Sequence, residues 1–374
     1  MKRILIIVGT RPEAIKLFPV VKAFKADKRF QTLLLTSGQH GEGMMAPLIN
    51  FFEIEVDVAL NTMVPNQSIS EFASLLMLSL DKEIEKHKPD LVIVQGDTTS
   101  CMVGSLTAFY RGIKVAHVEA GLRTYNRQSP YPEEINRRIT SLLTDLHFAP
   151  TENAKLNLKK EGVEGRVDVV GNTVIDSLLE ASDRINRSHS KYKQKYSYLV
   201  DKFTRIILIT GHRRENIGSK FGEIYSAIKQ LAEIYPDFAF VYPLHVNPAV
   251  RYAAQKILSG SSNIFLIEPL PYDEMVFLMR ESYLVMTDSG GIQEECPSLN
   301  IPVLVLRDTT ERPEGIEAGC SVLAGVETHF IIETFIDIVN DENRYNKMSR
   351  AQNPFGKGDS SLQIVKIVSE FFSI

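Results

Sequence analysis

The sequence predicts an α/β protein of two Rossmann-like domains, each a parallel sheet with helices on both faces, and three observations carry that expectation. Short apolar runs recur along the chain, and each stops abruptly at glycine or polar residues. Amphipathic helical patterns lie between the runs, which is the signature of a parallel sheet built from strand–helix–strand units. The scheme then starts again after a polar interval, and a length of 374 residues suits about two domains.

In the first half the predicted strands are Ile4–Val8, Leu33–Thr36, Leu91–Gln95, Val115–Val118, Leu146–Ala149 and Val167–Val170, with helical patterns such as Glu13–Lys25 and Ser70–His87 between them. The segment Ser182–Lys202 is rich in Lys, Ser and Tyr and has no strand-like run, so the domain junction is expected near residues 171–205. The second half supplies Ile206–Thr210, Phe238–Tyr242, Ile264–Ile267, Tyr283–Thr287 and Val303–Leu306. Residues 1–171 therefore form the expected first domain and residues 172–357 the second. The last segment carries Leu362, Val365, Val368 and Phe372 at helical spacing, with Asp359 or Ser360 as its cap.

Composition narrows the function. Lys plus Arg is 42 against 46 Asp plus Glu, a formal charge of −4, which argues against nucleic acid as the main partner. A local basic cluster inside an acidic whole still suits small anionic ligands. No apolar run approaches the roughly 20 residues that span a bilayer, and the opening MKRILIIVGTRPE reads as a first strand, because its apolar run stops at Val8 without a cleavage site. Cys101, Cys296 and Cys320 are sparse and unspaced, which fits a reducing cytoplasm and leaves no thiolate zinc site. The eight histidines have no metal-ligand spacing, so no metal is expected.

In an open parallel sheet, ligands bind beyond the carboxyl ends of the strands. After Val8 comes Gly9-Thr10-Arg11-Pro12, with Arg11 and Lys16 placed to meet an anion at a helix start. Asp97 follows the run ending at Gln95, Glu119 follows Val118, and a longer loop carries Glu133 and Arg137, so three carboxylates emerge on one sheet edge. In the second half, His212 and Arg213 follow Thr210, His245 follows Tyr242, and Ser289-Gly290-Gly291 follow Thr287. Glycine-rich backbone before a helix offers N–H groups to phosphate oxygens, and Arg213 and Arg312 add charge-assisted bonds. Each feature alone has an ordinary explanation: Asp97 as a helix cap, Glu133 as a first-turn acid, His212 as a hydrogen-bonded histidine. Glu134, Arg138 and Arg214 read as structural or solvent-facing charges. The weight lies in the set, since acids dominate one half and glycine-rich turns the other. Gly41-Glu42-Gly43-Met44-Met45-Ala46 fits a dinucleotide fingerprint but follows the wrong run, and neither a P-loop nor a G-x-S-x-G elbow occurs.

Nine stretches, in order along nearly the whole chain, resemble the non-hydrolysing UDP-N-acetylglucosamine 2-epimerases: GTRPEAIK (9–16), QGDTTS (95–100), HVEAGLRT (117–124), SPYPEEINRR (129–138), GNTVID (171–176), GHRREN (211–216), YPLHVNP (242–248), TDSGGIQEE (287–295) and RDTTERPEG (307–315). The resemblance implies the two-domain arrangement of many glycosyltransferases (GT-B type), the domains facing across a cleft and the last helix, 358–374, returning to the first domain. It implies a cytoplasmic homodimer that interconverts UDP-GlcNAc and UDP-ManNAc without cofactor or metal, for bacterial surface polysaccharides. The implied route eliminates UDP to 2-acetamidoglucal and re-adds it, since the C2 proton is not beside a ketone or aldehyde carbonyl. Asp97, Glu119 and Glu133 match the family's catalytic carboxylates and His212 its histidine, with the face of C2 served by each carboxylate left open. Arg11, Lys16 and Arg137 match substrate-side cations; Ser289, Gly290 and Gly291 the diphosphate turn; Glu295 a ribose contact; Arg312 a further contact.

The same resemblance puts Leu270 and Met275 at the uracil wall, Met275 standing where a close relative has Phe, while Tyr131 replaces a common Trp. Some bacterial relatives bind a second, regulatory UDP-GlcNAc, and Gln39, His40, Glu42 and His245 fall at the corresponding positions, with a stretch one residue longer after His40 and Asn66 near an expected Arg. Competing readings are a glycosyltransferase of the same fold, a hydrolysing epimerase that releases ManNAc and UDP, and a nucleotide-sugar sensor without turnover.

Overall fold

A computed structural model describes residues 1–211, 219–245 and 247–374, with the Glu42 and Ser219 side chains also outside what it describes. The chain divides into two compact units: unit 1 holds Met1–Ser177 with Phe355–Ile374, and unit 2 holds Leu178–Pro354.

Unit 1 is built on a seven-stranded sheet of β1 (Lys2–Val8), β2 (Phe30–Thr36), β3 (Val58–Ala59), β4 (Leu91–Gln95), β5 (Lys114–Val118), β6 (Leu146–Ala149) and β7 (Arg166–Val169). Every pairing is parallel, in the order β3-β2-β1-β4-β5-β6-β7. The connecting helices are α1 (Arg11–Ala26), α2 (Glu42–Phe52), α3 (Ile69–His87), α4 (Thr99–Tyr110), α5 (Glu133–Leu143) and α6 (Glu152–Glu161), and α7 (Thr173–Arg187) begins in unit 1 and continues past its boundary at Ser177. Strands covered on both faces are apolar without alternation, and Ile4, Leu5, Ile6, Ile7 and Val8 are all buried. On α3 the buried stripe Phe72, Leu76, Leu80 and Ile84 packs on Leu5, Ile7, Val92 and Val94, the spacing of one helical face. The strand order reverses between β1 and β4, and this switch point is where an open α/β sheet leaves a crevice beyond its strand ends.

Unit 2 repeats the plan with β8 (Arg205–Thr210), β9 (Phe238–Pro243), β10 (Ile264–Ile267), β11 (Leu284–Thr287), β12 (Val303–Val305) and β13 (Ser321–Leu323), parallel in the order β10-β9-β8-β11-β12-β13. Its helices are α8 (His189–Lys195), α9 (Ser197–Val200), α10 (Ser219–Ile234), α11 (Pro248–Leu258), α12 (Tyr272–Glu281), α13 (Gly290–Glu295), α14 (Pro313–Glu317), α15 (Thr328–Asn340) and α16 (Glu342–Ser349). The order reverses between β8 and β11.

Two segments carry packing that the sequence pattern does not show. The polar interval 182–202 is helical and packed: Tyr192 and Tyr196 stack on Phe277 with ring centroids 5.5 and 5.7 Å apart, and their hydroxyls donate to Asp273 and Glu274. Four-residue spacing puts both rings on one face of the segment, a signal hidden by the surrounding lysines. In the final helix, α17 (Ser360–Phe371), Ile364, Val365, Ile367 and Val368 are buried while Leu362 is exposed. The inward face runs through Ser361, Ile364, Val365 and Val368, so Leu362 points away from it. Asp359 stands at the N-cap but its carboxylate accepts from Gln363; the Ser361 amide instead donates to Asp176 of α7 at 2.8 Å.

Candidate active site

The turn from β1 to α1 is fixed by a buried carboxylate. Glu13 Oε2 accepts from the amides of Gly9 at 3.1 Å and Thr10 at 2.6 Å, and Oε1 accepts from Thr98 Oγ1 at 2.8 Å. Thr10 and Glu13 form a reciprocal capping box. One side chain thus ties the β1–α1 turn to the β4–α4 turn across the switch point. The approach is close: a Cβ on Gly9 would stand 2.3 Å from Ser100 Oγ. Burial outweighs these hydrogen bonds and pushes the Glu13 carboxyl up to about 7.

The structure brings Asp97 to Arg137 and Glu119 to Lys16 in unit 1. Asp97 does not cap α4, because Thr98 holds that position and accepts from Cys101 N at 3.1 Å. The Asp97 carboxylate is free to bond Arg137 instead, and Asn136 Nδ2 donates to the Asp97 carbonyl at 3.0 Å. Glu119 is buried with φ +62°, a left-handed conformation uncommon for a side chain of this size. Lys16 Nζ lies 2.6 Å from both of its oxygens, Gln95 Nε2 donates to one, and Asn172 Nδ2 donates to the other at 3.2 Å. Glu133 is the first residue of α5, and its Oε2 is buried with no hydrogen-bond partner among the described residues. Glu134 is structural and fully buried, accepting from the amides of Thr124 and Tyr125 at 3.1 and 3.0 Å and from Arg137 at 3.2 Å; Arg138 is largely exposed. Sequence reasoning passed over Glu13, Gln95, Asn136 and Asn172. The available signal was a polar residue at the end of an apolar run for Gln95, and membership of the recognised stretches for all four.

Beneath this edge, His117 and His147 face each other in register on β5 and β6, both fully buried. His117 Nε2 lies 2.7 Å from the Gly96 carbonyl. Burial pulls the two imidazoles down to about 4 and about 3.

In unit 2, the Thr210 and Thr287 hydroxyls meet at 2.5 Å at the switch point, and Thr287 Oγ1 also accepts from Ser289 N at 2.9 Å. Ser289 stands at the N-cap position of α13, which begins with Gly290 and Gly291, so first-turn amides without intrahelical acceptors start here. Tyr272 OH donates to the buried Glu295 carboxylate at 3.3 Å, which sets the start of α12, with half-buried Met275 and the preceding Leu270, beside α13. Arg312 bonds Glu294, and Thr310 Oγ1 donates to Gln293 Oε1 at 2.7 Å, pinning the loop after β12 to the same helix. His212 and Arg213 lie outside the described residues.

Of the residues matched to a regulatory site, Gln39 Oε1 accepts from Ser100 N and Oγ at 3.1 and 2.7 Å, and His40 Nδ1 accepts from Arg11 N at 3.1 Å. Burial and the nearby Arg11 charge hold the His40 imidazole below its ordinary value. His245, on unit 2, is exposed, with Nδ1 accepting from Asn247 N at 3.2 Å. Glu42 opens α2, but its side chain is outside the described set.

These shifts predict a pH signature in stability. The native state holds the Glu13 proton more tightly than the unfolded chain, so this contribution is full below about 4.5 and disappears as pH rises through about 7. The buried neutral histidines act oppositely: their contribution is full above roughly 6.5 and falls as pH drops toward 4. Glu13→Gln removes the first effect alone. Urea titrations should therefore show the variant gaining on the wild type between pH 5 and 8 by an amount on the order of 3 kcal/mol; a difference that does not change with pH rejects the assignment.

Comparison with known proteins agrees in every part of the chain. A profile of the UDP-N-acetylglucosamine 2-epimerase family matches residues 22–369. The UDP-N-acetylglucosamine 2-epimerase of Neisseria meningitidis serogroup A is 47% identical over 367 residues, 97% of this chain and 98% of that protein. A crystal structure of UDP-GlcNAc 2-epimerase from Neisseria meningitidis bound to UDP-GlcNAc superposes with a TM-score of 0.92 at 46% identity, over 98% of this chain and 100% of that one. The fold alone extends to a sucrose-phosphate synthase from Thermosynechococcus elongatus, at 10% identity and a TM-score of 0.69 over the full length of both chains. With two parallel α/β units, acids and cations gathered at one switch point and glycine-rich turns at the other, the chain belongs to the UDP-N-acetylglucosamine 2-epimerase family.

Proposed function

We propose that this protein interconverts UDP-GlcNAc and UDP-ManNAc by elimination and re-addition of UDP. One observation carries the reading: two strand-end carboxylates, Asp97 and Glu119, are each paired with a cation, Arg137 and Lys16, and Arg137 stands one helical turn along α5 from a third carboxylate, Glu133. That set suits a reaction that moves a proton at carbon while an anionic leaving group departs.

A carboxylate takes the C2 proton as the C1–O bond breaks, giving 2-acetamidoglucal and UDP. UDP then adds back through its β-phosphate oxygen to C1, and a proton delivered to the opposite face of C2 completes the inversion. Asp97, Glu119, Glu133 and His212 are the acid–base groups. Arg11, Lys16 and Arg137 meet the substrate's negative charge. On unit 2, Ser289, Gly290 and Gly291 take the diphosphate, Glu295 the ribose hydroxyls, Leu270 and Met275 the uracil, and Arg213 and Arg312 further contacts. The partners of Glu119 support this reading: a lysine and two side-chain amides converge on a buried strand-end carboxylate, two donors on each oxygen. The protein acts as a homodimer, and its product supplies ManNAc units for surface polysaccharide.

Proton NMR of the purified protein with UDP-GlcNAc in D2O, with nothing else added, should show UDP-ManNAc forming with deuterium at C2. Conversion without C2 exchange would reject the elimination route, and free ManNAc with UDP would indicate hydrolysis. Light scattering should give a mass of twice 42.1 kDa; a single-chain mass would reject the dimer. Gln39, His40, Glu42 and His245 are proposed to hold a second UDP-GlcNAc that activates the enzyme. Velocity measured from UDP-ManNAc should then rise on adding trace UDP-GlcNAc, and a curve that ignores the addition would remove that site from the reading.

A further inference from the structure

The turn that carries Asp97 is held at successive backbone carbonyls by side chains that make no other visible use of the site. Gly96, in the left-handed region at φ +73°, turns the chain between β4 and Asp97, and its amide donates to Val118 O at 3.0 Å. Its carbonyl lies 2.7 Å from His117 Nε2 and 3.3 Å from Cys101 Sγ. The next carbonyl, that of Asp97, accepts from Asn136 Nδ2. A carbonyl only accepts, so His117 must carry its proton on Nε2. The ring stays neutral, because burial pulls its pKa down to about 4.

Among the described residues His117 has no other hydrogen bond. Its Nδ1 is buried and without a partner among the described residues, and the facing His147 has neither nitrogen satisfied. A central strand gains nothing from such a ring, since an apolar side chain of similar size would bury no unsatisfied nitrogen. The one feature that an imidazole supplies and an apolar residue does not is the donor aimed at Gly96. A thiol is a weak donor, so Cys101 does not replace it.

We propose that His117 is a positioning residue for Asp97: its Nε2–H, with Asn136 Nδ2 beside it, fixes the two peptide groups that aim the Asp97 side chain. The inference rests on the proposed acid–base role of Asp97. Its specific content is that the histidine works on the orientation of that carboxylate and neither on the fold nor on nucleotide binding.

The test compares His117→Leu, His117→Gln and Asn136→Leu in the purified full-length enzyme, by kcat, KM for UDP-GlcNAc, UDP affinity and thermal midpoint. His117→Leu should lose about ten- to a hundredfold in kcat, the scale of a misplaced catalytic group. Its UDP affinity and KM should stay within about twofold and its thermal midpoint should not fall. In His117→Gln the amide Nε2 reaches the place of the imidazole Nε2, so kcat should return to within about threefold of wild type, and Asn136→Leu should show the same split as His117→Leu. An active wild type with a His117→Leu variant of equal kcat overturns the inference and leaves the proposed reaction standing. So does a loss that UDP affinity shares equally and that His117→Gln does not rescue, which would mark a structural role. Should His117→Leu fail to fold, Asn136→Leu decides by the same criteria. A wild type with no turnover of UDP-GlcNAc overturns the proposed reaction, and the inference with it.

Discussion

Charge buried at the carboxyl edge of the first sheet must be compensated within a few ångströms, and much of unit 1 is arranged by that constraint. An isolated ion out of water is costly enough that it must be paired, hydrogen-bonded or neutralised. Glu119 is answered by Lys16 from α1, Gln95 from β4 and Asn172 from the turn before α7. Asp97 is answered by Arg137, which is itself shared with Glu134, which also gathers the amides of Thr124 and Tyr125. Glu13 is answered by backbone amides and Thr98. Each pairing reaches into a different element, so neutralising these groups also sets the positions of α1, α5 and the loops beyond β4, β5 and β7. For an anionic substrate the consequence is an exchange: Lys16 and Arg137 are already engaged, and binding would trade one partner for another.

The fold was legible because parallel sheets buried on both faces leave continuous apolar runs, and every such run became a strand. What escaped was of two kinds. The edge strands β3 and β13, of two and three residues, are too short to show a pattern. The 182–202 interval hid two aromatic anchors among lysines, and in α17 the helical spacing that starts at Leu362 does not mark the buried face, which Ile364 and Val368 set. In the site, residues at strand ends were legible because chain direction alone puts them on one edge. Their supports were not. That Asn136 serves the Asp97 carbonyl, or that Glu13 bonds Thr98 far along the sequence, depends on side-chain reach across the sheet and leaves no local pattern. Glu134 is the sharpest case: a charge next to another charge at a helix start leaves the structural and the solvent-facing readings open, and it is fully buried because two loop amides and an arginine converge on it.

The two units use one topology for different chemistry. In each, the order reverses beside the first strand, and backbone and side chains are available there. Unit 1 fills the place with paired ions, whereas unit 2 fills it with two threonine hydroxyls and a short helix that begins in glycine. Glycines bring peptide N–H groups forward without a side chain in the way, so unit 2 presents dipoles where unit 1 presents full charges.

The return of α17 to unit 1 has a consequence for how the chain comes to be folded in the cell. Its buried Ile364 and Val368, the Asp176 bond to the Ser361 amide and the 2.6 Å bond from Asn172 N to Phe355 O all belong to the first unit. The ribosome makes them only after the whole of unit 2. Unit 2 is one uninterrupted stretch, Leu178–Pro354, and has every residue of its core in hand before residues 355–374 are made, while unit 1, begun first, waits for α17. The unit with the paired carboxylates and cations is thus completed after unit 2 has been made, and the turn at Asn172, which supplies a donor to Glu119, gains its Phe355 partner only then.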